Sequence, residues 1–184
     1  MTALWIALGI VALLAVALVV SYNRFVRQRN LVQESWRQID VELHRRHDLI
    51  PNLVETVKGY ATHERQTFEN VTAARAEAMK AGTVEATQSA EAKLSGALAD
   101  LRAVAENYPD LRATENFQQL QRDLNEIEDE IQASRRIYNS NVQSYNTKIQ
   151  IFPNSIVAGM GGFTAREFFE IENAAERDPV QVKF

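Results

Sequence analysis

Cysteine is absent from this 184-residue chain. That removes disulfides, thiolate metal ligands, thiol nucleophiles and a lipid-modified N-terminal cysteine, and leaves the compartment open. Helix breakers are scarce, with four Pro and seven Gly. With Ala, Glu, Arg, Gln and Leu abundant, so few breakers favour helix over sheet. There is no excess of positive charge either: the formal net charge is −4. A nucleic-acid partner calls for a basic face, so that class is disfavoured. The length suits one domain plus an anchor rather than two full domains.

Catalytic signatures are also missing. His63-Glu64 opens like a zinc-protease HExxH, but Thr67 stands where the second His belongs, so the two-His helical geometry fails. No G-x-S-x-G elbow and no Gly-rich phosphate loop occur. A di-iron bundle needs Glu-x-x-His on two helices, and the sequence has none. Asp40, His44, His47 and Asp48 lie three or four residues apart. That spacing brings two His and two carboxylates near one helix face, as a metal site would. Their neighbours Glu42, Arg45 and Arg46 make a solvated polar face the better reading. No catalytic, cofactor or metal residue is assigned, and the chain reads as a non-enzyme.

What the sequence does have is a long apolar run. Leu4 to Val20 carry no charged, amide or hydroxyl side chain. With Ala3, Ser21 and Tyr22 the run approaches the ~20 residues of helix that cross a bilayer core. Trp5 and Tyr22 mark its ends, where amphipathic rings favour the interfaces. Ala15-Val16-Ala17 offers a cleavage-like A-x-A pattern, but a signal peptide wants a basic leader and a shorter core. Here Arg24, Arg27 and Arg29 follow the run and no Lys or Arg precedes it. An uncleaved single-pass anchor in the bacterial inner membrane is expected. The positive-inside bias puts the N-terminus outside and the bulk of the chain in the cytoplasm.

Beyond the anchor, apolar residues recur at helical spacing: Phe25, Val32, Trp36, Ile39, Leu43 and Ile50, then Val54, Val57, Ala61, Phe68 and Val71. Arg29 and Arg46 occupy two gaps in this stripe, and Glu64 and Arg75 share its line. Such a narrow repeat is a coiled-coil-like or bundle seam. Pro51 interrupts it, predicting a kink or a turn with Asp48 as a new helix cap. Gly82-Thr83 predicts a C-cap followed by an N-cap. Tyr108-Pro109 ends the next helix, and Phe117 to Phe152 form the last long one, up to Pro153. With a turn at Pro51, helices over 22–48, 52–80, 84–107 and 113–151 make an antiparallel up-and-down four-helix bundle. With only a kink there, 22–80 becomes one long stalk beside a three-helix head.

The fold class expected is all-α: a transmembrane helix over 1–22, a bundle over 23–153, and a Gly-hinged amphipathic tail over 154–184 with a short helix. In the tail, Val157 to Phe163, containing Gly159, Gly161 and Gly162, reads as a flexible connection. Ala165 to Asn173 reads as a short amphipathic helix bearing Phe168 and Phe169. The asparagines beside Tyr22, Tyr138 and Tyr145 suit hydrogen bonding across helices. Asp123, Glu126, Glu128, Asp129 and Glu130 read as a solvated acidic face.

Particular strings resemble the LemA family. They are Tyr22-Asn23 with Arg29-Asn30, Trp36 to Val41, and Arg45-Arg46-His47-Asp48-Leu49-Ile50-Pro51-Asn52-Leu53-Val54, followed by Val57-Lys58-Gly59-Tyr60. His63-Glu64, Glu106 to Leu111, Asn116-Phe117, Tyr138-Asn139, Tyr145-Asn146, Phe152-Pro153 and Gly162-Phe163 complete the match, which covers nearly the whole chain. The resemblance implies a helical bundle behind one N-terminal membrane segment. Family members associated with membrane organelle formation make scaffolding the analogy, by fold rather than by site. The expectation is a non-catalytic, membrane-anchored scaffold acting by self-association or by holding an unknown protein partner at the membrane. The alternative is a membrane-associated sensor, with a small ligand or metal held between helices.

Overall fold

The computed structural model describes residues 1–170. Six helices form among them: α1 (Thr2–Lys58), α2 (Arg65–Ala78), α3 (Val84–Glu106), α4 (Pro109–Arg112), α5 (Glu115–Gln150) and α6 (Asn154–Met160). The all-helical class is as the composition requires. At Pro51 the turn reading fails and the helix continues, as the alternative reading allowed: α1 runs through Pro51 and stops at Lys58. The long stalk over 22–80 is equally ruled out, because Gly59 to Glu64 separate α1 from α2. Asp48, expected as a cap, sits exposed in mid-helix.

The reason the helix survives Pro51 is local. A proline in a helix leaves the carbonyl four residues back without its donor, here the carbonyl of His47. A buried carbonyl without a partner is costly. In this chain Arg75 Nε of α2 donates to it at 2.7 Å. The missing backbone bond is replaced from a neighbouring helix, so the proline stays inside α1.

Thr83 and Pro109 act where they were read, but Gly82 is not a C-cap, because α2 ends at Ala78 with Met79 in that role. Thr83 caps α3, its Oγ1 accepting from Ala86 N at 3.2 Å. Pro109 occupies the first turn of α4, where a missing N–H costs nothing. Thr114 Oγ1 accepts from Phe117 N at the start of α5.

The chain divides into two compact units. One comprises Met1–Gln38 and Arg136–Phe168. Its interior is built from Phe25, Val32 and Ser35 of α1, Tyr138, Val142 and Tyr145 of α5, Val157 and Ala158 of α6, and Phe163. Trp36 is half-buried rather than a core residue, and packs on Tyr138 with ring centroids 5.4 Å apart. The apolar run at the start of α1 contributes nothing to this interior: none of its hydrophobic window is buried, and it is long and apolar enough to cross a membrane.

Residues 157–163 are not the flexible connection expected. α6 extends to Met160, and Phe163 folds in against Tyr22 and Phe25, with centroids 5.4 and 5.2 Å away. Two glycines make this possible. Gly162 holds φ +66°, a region L side chains avoid. A Cβ on Gly161 would stand 2.5 Å from the Phe163 ring and 3.2 Å from that of Tyr22. The helix expected over Ala165–Asn173 is absent as far as Glu170, and its remainder lies outside the described residues. Instead Asn146 clamps the Arg166 main chain, donating to its carbonyl and accepting from its N–H, both at 2.8 Å. The Tyr138 hydroxyl donates to the Glu167 carbonyl at 2.8 Å. Burial pushes the Tyr138 phenol pKa up.

The second unit comprises Ile39–Arg135 together with Phe169 and Glu170. Ile50, Leu53, Val54 and Val57 of α1 meet Phe68 and Val71 of α2, Leu94 and Leu101 of α3, and Phe117 and Leu120 of α5 in one hydrophobic cluster. Leu111 of α4 is fully buried in the same cluster. Each large aliphatic side chain withdrawn in this way contributes roughly 1.5–3 kcal/mol.

Candidate functional site

Within the second unit, one polar cluster interrupts the apolar interior. Arg46 and His47 of α1 are each 3% exposed, and Glu91 of α3 is fully buried. Arg46 Nη2 pairs with Glu91 Oε2, and its Nη1 donates to Glu128 Oε2 of α5 at 2.8 Å. His47 Nε2 meets Glu91 Oε1 at 2.7 Å, so both carboxylate oxygens of Glu91 are engaged. Arg75 closes the cluster from α2 through the His47 carbonyl. One compact set of charges therefore ties α1, α2, α3 and α5 together.

The electrostatics are those of a paired interior. Desolvation pushes the Glu91 carboxyl pKa up, but the His47 hydrogen bond and the Arg46 charge outweigh it, and the net shift is downward. Taking charges out of water is expensive, and attraction repays it only when geometry and hydrogen bonds are complete. Among the described residues, Arg46 Nε and His47 Nδ1 have no hydrogen-bond partner. Glu91 is fully buried, whereas Glu128 at the edge of the cluster remains partly exposed.

This placement changes several readings. Arg46 pairs with an acid of the last long helix, Glu128, but its most buried partner is Glu91 of α3. Arg29, the other cation on the stripe, lies over the Phe163 ring at 5.6 Å. The four residues weighed as a metal face do not converge. His47 turns inward, His44 is exposed with Nδ1 2.8 Å from the Asp40 carbonyl, and Asp40 and Asp48 face solvent. Among the described residues, no three His, Cys, Asp or Glu are grouped to hold a metal ion. His63 and Glu64 lie between α1 and α2. The acidic run of α5 is not wholly solvated, since Glu128 holds Arg46 and Glu130 holds Arg45 at 2.6 Å.

Glu91 was not singled out from the sequence, yet a signal for it existed. Thr87, Glu91, Leu94, Leu98, Leu101 and Ala105 alternate at spacings of four and three. This puts one acid on the apolar seam of α3, the complement of Arg46 on the seam of α1.

A second feature is a shallow hollow of about 210 Å³ lined by Arg102, Glu106, Arg112, Phe117, Gln121 and Asn125. Arg102 Nη2 donates to Asn125 Oδ1 at 3.4 Å. Both arginines are exposed.

The third is a charge asymmetry. The unit that carries the apolar run has seven cations, Arg24, Arg27, Arg29, Arg37, Arg136, Lys148 and Arg166, against the acids Glu34 and Glu167. The chain as a whole is acidic.

Comparison with known proteins shows relatives along most of the chain. Magnetosome protein MamQ 2 of Paramagnetospirillum magneticum is 27% identical over 195 residues, covering 92% of this chain and 71% of the relative. Magnetosome protein MamQ of Magnetospirillum gryphiswaldense is 24% identical over 201 residues, covering 94% and 74%. Protein LemA of Metamycoplasma hominis is 27% identical over 140 residues, covering 74% of this chain and 63% of its own length. Residues 35–184, a range that contains Arg46, His47, Glu91 and Phe163, match the model of the LemA family; the chain belongs to the LemA family.

Proposed function

We propose that the chain is a non-catalytic scaffold held in the bacterial inner membrane by residues 1–22, with an antiparallel four-helix bundle as its working domain. The observation that carries this reading is the composition of α1. One uninterrupted helix bears both the uncovered apolar run and the core residues Ile50, Val54 and Val57. Anchor and bundle thus share an element, with no linker between them. Neither the family nor the MamQ relatives are named for a reaction, and the buried charge cluster serves packing rather than chemistry. The cations following the apolar run favour a cytoplasmic location for everything beyond Tyr22.

The scaffold acts by self-association or by holding a protein at the bilayer. Leu31, Val41 and Ile137 are each more than half exposed outside the apolar run, and tethering raises the effective concentration of neighbours so that weak contacts are populated. Full-length protein in mild detergent is expected to show a mass of two or more chains by light scattering corrected for detergent. A single-chain mass at micromolar concentration overturns the self-association arm. A cysteine in place of Ser89, exposed on α3, is expected to resist a membrane-impermeant thiol reagent in intact cells. Ready labelling there reverses the orientation.

A further inference from the structure

The uncovered apolar surface does not end with the first turns of α1. In the turn before α6 and on α6 itself, Phe152, Ile156 and Met160 are 80%, 53% and 77% exposed. Ile156 and Met160 lie four residues apart, one above the other on a single helix face. Val157 and Ala158 of the same helix are buried. α6 is therefore two-sided: one side packs inside its unit, the other presents large apolar groups outward. Contiguous patches of that kind mark a contact with a protein or a membrane.

Position decides which. Ser21 Oγ donates to Asn154 Oδ1 at 3.2 Å, and Tyr22 meets Phe163 edge to face just beyond α6. The first residue of α6 is thus fastened to the residue that follows Val20, where the apolar run ends. If that run spans a bilayer, α6 stands at the headgroup level. We propose that the turn at Phe152 and α6 form a second, interfacial membrane contact, with Phe152, Ile156 and Met160 inserted into the same bilayer beside the exit of α1. This rests on the anchor reading given above.

Charge supports a lipid surface over a second copy of the chain. Arg24 and Arg27 are exposed just after Tyr22, and Lys148 is exposed four residues before Phe152. Glu34 and Glu167 are the acids of this unit. Exposed cations in the same unit as inserted apolar groups match acidic headgroups over acyl chains. Two copies meeting through this face would instead bring like charges together.

The absence of cysteine allows a direct test on the full-length chain. Ile156→Cys, Met160→Cys, Leu13→Cys and Ser89→Cys each carry one environment-sensitive fluorophore, in vesicles of phosphatidylcholine and phosphatidylglycerol. The quenchers are lipids spin-labelled either near the headgroup or deep in the acyl chain. Labels at 156 and 160 are expected to be quenched more by the shallow spin label than by the deep one, the label at 13 more by the deep one, and the label at 89 by neither. If 13 is quenched while 156 and 160 behave like 89, the spanning helix stands and the interfacial contact is wrong. If 13 is not quenched, the anchor reading fails and takes the contact with it. A blue-shifted but unquenched label at 156 means that protein covers the face, which also overturns the proposal.

Discussion

Pro51 and Arg75 show how one residue's defect is met by another's side chain. Arg75 supplies the hydrogen bond that the proline withholds from the His47 carbonyl, so substitutions at the two positions should be coupled. In a chain starting at Ser21, Arg75→Met should cost more beside Pro51 than beside Pro51→Ala, where a backbone N–H is restored. A coupling of about 0.5–3 kcal/mol in urea unfolding is expected, the range for residues sharing a partner. Strict additivity would contradict the replacement argument. Glu91 gives a second prediction. Its carboxyl pKa is lower in the folded chain, so its stabilisation is present above the unfolded carboxyl range, ~4.3, and is lost as pH falls through the lower folded value. Glu91→Gln should therefore be less stable than the parent at neutral pH, with the gap narrowing as the solution is acidified below that range. A gap that stays constant in urea midpoints across the same titration would show that the charge of Glu91 contributes nothing. Truncation to Ala, which leaves Arg46 partly uncompensated, should cost about 3–5 kcal/mol. The stripe on α1 made Arg46 legible in the sequence as a cation needing a partner. The identity of that partner was not, because pairing across helices depends on which faces meet, and no local periodicity encodes that.

At the scale of elements, the sequence was most legible where the backbone itself is constrained. Thr83, Pro109 and Pro153 bound helices because a cap or a missing N–H acts within one turn. Pro51 misled for the converse reason: its local preference for a break was overridden by a tertiary hydrogen bond. The Gly-rich stretch misled in a related way. Glycine reads as freedom, but Gly161 and Gly162 are there to let Phe163 close against Tyr22 and Phe25. A Cβ at 161 collides with the ring it admits. Gly161→Ala should accordingly destabilise the chain starting at Ser21 by about 1–3 kcal/mol, the usual cost of overpacking, as read by urea unfolding. An unchanged midpoint would mean that the clasp of Phe163 is not held as described. The same distinction applies to Trp36 and Ile39. Both fall on the apolar stripe, but only Ile39 is fully buried, since stripe position fixes the face of a helix and not how far its neighbours cover it.

At the scale of the whole molecule, composition carried most of the information. The lack of cysteine, the scarcity of breakers and the single long apolar run define an all-helical chain with one candidate membrane segment. The concentration of cations in the unit bearing that segment was hidden by the acidic total. It emerges only when the fold brings residues 136–168 together with residues 1–38. On the function proposed above, the first turns of α1 hold this LemA-family chain in a bilayer. Alkaline carbonate extraction of membranes from cells expressing the full chain, beside one lacking residues 1–20, tests it most directly. The full chain should stay with the membrane pellet and the shortened chain should be released while keeping its helical circular-dichroism signal. Release of the full chain by carbonate would contradict the account.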